Sequence, residues 1–158
     1  MKRILMIGML GVVAFGLACS GQARARKAYI KALIPELEKA MATEGFETEV
    51  TISKKGKVYD TRVDFKGLLK ENEKWKKASH EEKLARFARV CAETMGFFLS
   101  GLQESGFIAF ETLYIGYADE VWSVSVEYAG YISSHAISRS KSARRLEKEL
   151  MGKLERVE

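Results

Sequence analysis

Two stretches decide how this chain folds: "EGFETEVTISKKGKVYDTRVDFKGLL", residues 44–69, and "SGFIAFETLYIGYADEVWSVSVEYAGYI", residues 105–132. They read alike. Gly45-Phe46 matches Gly106-Phe107 at an offset of 61. Past the central turn the offset is 63: Val58-Tyr59 matches Val121-Trp122, Val63 matches Val126, Phe65 matches Tyr128 and Gly67 matches Gly130. The second copy therefore carries two extra residues in or near its turn.

Each copy reads as a β-hairpin. In the first, "SKKGK" supplies a glycine where a tight turn demands positive φ. Tyr59, Thr61, Val63 and Phe65 alternate onto one face of its second strand. In the second, Trp122, Val124, Val126 and Tyr128 do the same, while Ser123, Ser125 and Glu127 point the other way. One apolar and one polar face predict a half-buried antiparallel sheet.

A helical pattern precedes each hairpin. Ile30, Leu33, Ile34, Leu37 and Met41 form the first stripe; Leu84, Phe87, Ala88, Cys91, Met95, Phe98, Leu99 and Leu102 form the second. Ser79 and Glu82 open the second helix as a capping box. Pro35 and Gly96 align as breakers, so a kink is expected in both helices. A third helix is read in "SRSKSARRLEKELMGKLERVE", with Leu146, Leu150, Leu154 and Val157 as its seam.

The expected fold is α+β, in the order αββαββα. Two αββ repeats, residues 28–67 and 89–130, make a four-stranded antiparallel sheet with helices packed on one face. Residues 28–158 are expected to form one domain. The topology is similar to that of periplasmic BON domains and secretion-chaperone-like proteins, without the glycine–valine pattern of the former. That likeness implies a fold and no activity.

Outward from this domain, the N-terminus runs Met1-Lys2-Arg3 and then "ILMIGMLGVVAFGLA", residues 4–18, without a charge. A spanning helix needs roughly 20 apolar residues and a signal-peptide core roughly 7–15. Length and basic flank fit an export signal over residues 1–18, with the remainder beyond the membrane. The stretch "GLAC" ending at Cys19 resembles the lipobox of bacterial lipoproteins, with a small residue, Ala18, before the cysteine. Gly16 stands where that family usually has leucine. The resemblance implies that Cys19 is diacylated and becomes the new N-terminus, leaving residues 19–27 as a basic tether. A retained membrane helix and ordinary cleavage to a soluble protein stay open beside it.

Charge and chemistry narrow the function classes. Lysine plus arginine number 26 against 21 acidic residues, a net charge of +5. Without Lys2 and Arg3 the count is 24 against 21. That excess is too mild to predict specific nucleic-acid binding. His80 and His135 are the two histidines, and neither sits in a zinc-type spacing, so no metal and no cofactor is expected. Cys91 falls on the apolar side of the second helix, which suits a small buried hydrophobe better than a disulfide partner.

Ser133, Ser134 and His135 adjoin, which keeps an uncharacterised hydrolase open as an alternative, although adjacent residues rarely reach catalytic geometry. A small-molecule or lipid-binding periplasmic domain is the other alternative. The favoured expectation is a non-catalytic binding or scaffolding protein of the cell envelope, tethered to the membrane by lipid or helix and partnered with another envelope protein. Trp75 among Lys74, Lys76 and Lys77, Tyr114 and Tyr117 of the longer hairpin, and Arg144 and Arg145 of the last helix are the candidate contact residues. Trp75 has a competing role as a lid on the core.

Overall fold

The computed structural model describes residues 19–70 and 73–157. The export signal expected over residues 1–18 lies outside the described residues. Helix α1 spans Cys19–Thr43, strands β1 and β2 span Phe46–Lys55 and Val58–Leu68, and the short helix α2 spans Glu73–Lys76. Helix α3 spans His80–Glu104 and is followed by β3, Phe110–Tyr117, and β4, Glu120–Ser125. Helices α4, Val126–Ile137, and α5, Ala143–Met151, lead to a three-residue strand β5, Glu155–Val157.

The fold is α+β: the described residues form five helices and a sheet of order β1-β2-β3-β4-β5. It is not the expected four-stranded antiparallel sheet. Neighbours pair antiparallel except β2 and β3, which are parallel. The reason is the long crossover: α2 and α3 carry the chain back before β3 begins, and a helical crossover returns it in the original direction. Among the described residues no helix is long and apolar enough to cross a membrane.

The two helix-to-hairpin junctions share one device. Gly45 and Gly106 both adopt positive φ, +94° and +69°, just after α1 and α3 end. Glycine reverses the chain there because a side chain would be strained. This gives the shared Gly-Phe its physical meaning. In the first copy Phe46 enters the strand at once, whereas in the second residues 107–109 intervene before Phe110.

The hairpin turns then diverge. Lys55 pairs with Val58 across a two-residue loop in which Gly56 takes φ +61°. Tyr117 pairs with Glu120 across Ala118 and Asp119, both at positive φ without being glycine.

After Ser125 the resemblance between the copies ends. Val126, Tyr128 and Gly130, aligned above with strand residues of β2, lie in helix α4. Ser125 is its N-cap, with Oγ accepting from the Tyr128 amide at 3.2 Å. Val126, Ala129, Ile132 and Ser133 are its buried residues, a helical spacing that overlaps a strand-like alternation.

The last expected helix is also shorter. It stops at Met151 with Gly152 as C-cap, so Leu154 lies outside it and Val157 belongs to β5, not to a helical seam. Residues 19–27, read as a tether, are helical and form the start of α1.

One core unites these elements. Leu37 and Met41 of α1, Met95 and Leu99 of α3, Leu113 and Ile115 of β3, Ile132 of α4 and Leu150 of α5 are fully buried together. The helices cover one face of the sheet, as expected. The other face is polar and open: Glu49, Thr51, Arg62, Lys66 and Tyr114 point there by the two-residue alternation of their strands. Its charges pair among themselves, Arg62 with Asp64 at 2.8 Å and Lys66 with Glu49 at 3.0 Å.

Candidate functional site

The candidate contact residues do not form one surface. Trp75 folds against the core, its ring 4.9 Å from Phe87 and 6.4 Å from Phe46, with the Arg86 guanidinium over it at 5.9 Å. It acts as the lid. Lys74, Lys76 and Lys77 around it are exposed, and Lys76 pairs with Glu73 at 3.3 Å.

Tyr114 and Tyr117 sit on opposite faces of β3. Tyr117 joins the lid side, 4.6 Å from Phe87 and stacked on His80 at 5.2 Å. Trp75, Lys76 and Tyr117 thus line a shallow groove of about 350 Å3. Tyr114 faces the open sheet between Arg62 and Ser123. Arg144 is exposed on α5, and Arg145 pairs with Glu149 at 3.0 Å.

The serine–histidine neighbourhood separates into different roles. Ser133 is buried, and Ser134 Oγ donates to the Tyr131 carbonyl at 2.9 Å. His135 Nδ1 instead meets Ser140 Oγ, at 2.5 Å, in the exposed connection to α5. The hydrolase expectation required Ser133 or Ser134 to meet His135, and neither does. Between helices and sheet, Leu37, Met41, Leu99 and Leu113 are fully buried in the core. Among the described residues no group of three or more His, Cys, Asp or Glu side chains is placed to hold a metal ion.

A different surface stands out, one the sequence reading missed. Helices α3 and α4 leave a groove of about 570 Å3 between them, lined by residues of these two helices. Its small lining residues include Ser100, Gly101, Gly130 and Ser133. Three large apolar side chains remain exposed around it: Phe97 at 39%, Tyr131 at 37% and Ile137 at 62%. Leaving such groups in water is unfavourable, which makes their clustering a candidate contact surface. Glu104 and Glu127 also line the groove, and among the described residues neither has a cationic partner.

Tyr131 is contacted from several sides. Its ring stacks on Tyr128 at 5.2 Å and meets His135 edge-on at 4.4 Å. Lys141 Nζ donates to its hydroxyl and lies 4.8 Å from its ring centre. Glu149 anchors that lysine at 2.7 Å. This hydrogen bond raises the Lys141 pKa and lowers that of Glu149, so both stay charged at neutral pH. The signal in the sequence was the run Tyr128, Tyr131, Ile132 and Ile137 once read with helical period.

Comparison of the chain with family models, with curated proteins and with solved structures finds no match.

Proposed function

We propose that this chain is an exported envelope protein, tethered to the membrane through an acylated Cys19, whose domain binds a basic amphipathic helix of another envelope protein. The binding site is the α3–α4 groove. The observation that carries this reading is the exposed Phe97, Tyr131 and Ile137 around small residues, beside the carboxylates of Glu104 and Glu127, which form no ion pair among the described residues. An amphipathic helix offers an apolar stripe for such a surface, and lysine or arginine on its flank complements the two glutamates. The domain is read as two αββ units, α1-β1-β2 and α3-β3-β4, which the glycine-terminated helices support. The groove belongs to the second unit alone, because α3 supplies one wall and α4, which follows only that unit, supplies the other.

The test places a photo-crosslinking side chain at Ile137 in the full chain and, as a control, at Thr51 on the open sheet face. The expected adduct forms at 137, maps to a basic amphipathic segment of a membrane-associated protein, and disappears in Phe97→Glu. Equal adducts at both positions, or an adduct mapping to an acidic segment, would falsify the groove assignment. The tether is tested separately by intact mass. A mature chain beginning at acylated Cys19 supports it, and unaltered membrane retention of Cys19→Ser overturns it.

A further inference from the structure

The fold brings two basic segments, thirty residues apart in sequence, to one end of the molecule. The first is Arg24, Arg26 and Lys27 near the start of α1, and the second is Lys54, Lys55 and Lys57 at the tip of the β1–β2 hairpin. Helix α1 turns back through Glu44 and Gly45 and packs along β1, with Glu38 Oε1 accepting from the Val50 amide at 3.0 Å. Strand β1 rises about 31 Å from Phe46 to Lys55. Helix α1 rises about 29 Å from Arg24 to Thr43. The two basic segments are therefore level.

Side-chain contacts agree. The first segment reaches the connection between α3 and β3, where Tyr29 packs edge-on against Phe107 at 5.5 Å and the Arg26 guanidinium lies 6.0 Å over that ring, and the second reaches the start of β3, where Lys55 Nζ meets Glu111 at 3.3 Å. Lys54 and Lys57 are exposed and have no ion pair among the described residues. This is also the end from which the chain continues toward the uncharged run of residues 4–18.

We propose that this end docks on the anionic headgroup layer of the membrane, fixing the orientation of the domain. The proposal rests on the membrane tether of the preceding section. The occupant follows from charge complementarity and from the position of the start of α1, to which the apolar run is joined in sequence. Clustered lysine and arginine held within a Debye length of an anionic leaflet gain attraction cumulatively. Glu104 and Glu127 lie toward the α4 side of the same end, since α4 begins directly after Ser125, the partner of Thr112 near the start of β3. They repel the headgroups there and keep the groove clear. Trp75 and its lysines are at the far end, against Phe46 where β1 begins, and so face away from the membrane.

The experiment uses the full chain in vesicles of phosphatidylcholine, with or without 30 mol% phosphatidylglycerol. A fluorophore is attached through a clickable side chain at Ser53, near the hairpin tip, or at Lys77, at the opposite end. Headgroup-quencher lipids report proximity. On anionic vesicles quenching at 53 is expected to exceed that at 77 at least threefold. The ratio should fall toward one on neutral vesicles, in 1 M salt and in the double variant Lys54→Glu/Lys57→Glu.

Equal quenching at the two positions on anionic vesicles overturns the docking, as does a ratio indifferent to salt and charge reversal. A ratio of one on anionic vesicles together with binding to double-stranded DNA that Lys54→Glu/Lys57→Glu abolishes also overturns it, in favour of a nucleic-acid surface. Flotation with neutral vesicles reads the tether alone. If that flotation fails while the anionic ratio holds, the tether is wrong and the docking stands. If flotation succeeds and the ratio is one, the reverse is true.

Discussion

Gly96 of α3 lies so close to Ala129 of α4 that a Cβ on residue 96 would stand 2.1 Å from the Ala129 carbonyl oxygen and 2.8 Å from the Gly130 nitrogen. The obstruction is helix backbone, which cannot rotate away as a side chain can. The glycine is thus a point of close approach between helices, not the breaker that its alignment with Pro35 suggested. Gly96→Ala is expected to cost about 3 kcal/mol, the upper range for overpacking, and to lower Tm by roughly 6–12 °C. Gly130→Ala meets only the Ser100 side chain, at 3.0 Å. Its strain is offset by the helix preference for alanine, about 1 kcal/mol. Urea unfolding of both variants should rank Gly96→Ala as far the more damaging, and equal midpoints would count against this contact.

Backbone conformation gives a second ordering. Gly106 has φ +69° with open space around it, so Gly106→Ala tests conformational strain with no steric clash. A loss of about 1 kcal/mol is expected. Ala118 occupies φ +49° in the β3–β4 turn, where an L-residue is itself strained. Ala118→Gly should therefore stabilise, by about 0.5–1 kcal/mol after the extra chain entropy of glycine is deducted. Glycine is thus favoured over alanine at both sites, so Gly106→Ala should lower stability and Ala118→Gly should raise it. Parallel thermal melts of the two variants read both signs directly.

The sequence showed as much of the fold as local periodicity encodes. Tyr59, Thr61, Val63 and Phe65 alternate in the second strand of the first hairpin, and the stripe from Leu84 to Leu102 and the Ser79/Glu82 cap mark α3. Parallel pairing of β2 with β3 was not visible, because it depends on how a crossover closes and leaves no alternation of its own. Val126 to Gly130 failed for a sharper reason. Val126 and Tyr128 continue the alternation of β4, while Val126, Ala129 and Ile132 also fit a helix, and burial against α3 settles the choice. Ser125 before Glu127 was the available cap signal. The site was less legible still. Phe97, Tyr131 and Ile137 become neighbours only when α4 packs on α3, and among the expected contact residues Trp75 serves the core instead.

Cys91 supplies a chemical prediction. It is completely buried in α3, and burial pushes its thiol pKa well above the ordinary range. Reactivity needs thiolate, so native Cys91 should resist iodoacetamide at pH 8 and become alkylated only across the unfolding transition. Peptide mass mapping distinguishes it from Cys19. Rapid alkylation of Cys91 in the native protein would contradict its placement. Cys91→Ser should also destabilise by about 1–3 kcal/mol, because a buried hydroxyl without a partner keeps its desolvation cost.

The capping box predicts the acid limb of the stability curve. Ser79 Oγ accepts from the Glu82 amide at 3.2 Å, and Glu82 Oε2 accepts from the Ser79 amide at 2.9 Å. The backbone bond from Ser79 is the main cause holding the Glu82 pKa below its ordinary value. A carboxylate with a depressed folded pKa stabilises the protein fully above its unfolded value, about 4.3, and loses that contribution as pH falls through the lower folded value. Replacing the acid with Glu82→Gln should therefore destabilise at pH 6, and its deficit should shrink steadily between about pH 5 and 3. Ser79→Ala removes the hydroxyl acceptor but leaves its backbone amide to bind Glu82. It should lower stability by about 1 kcal/mol while the acid limb keeps most of its slope. Urea midpoints from pH 3 to 7 separate the two effects, and parallel curves for wild type and Glu82→Gln would show that Glu82 titrates normally in the folded protein.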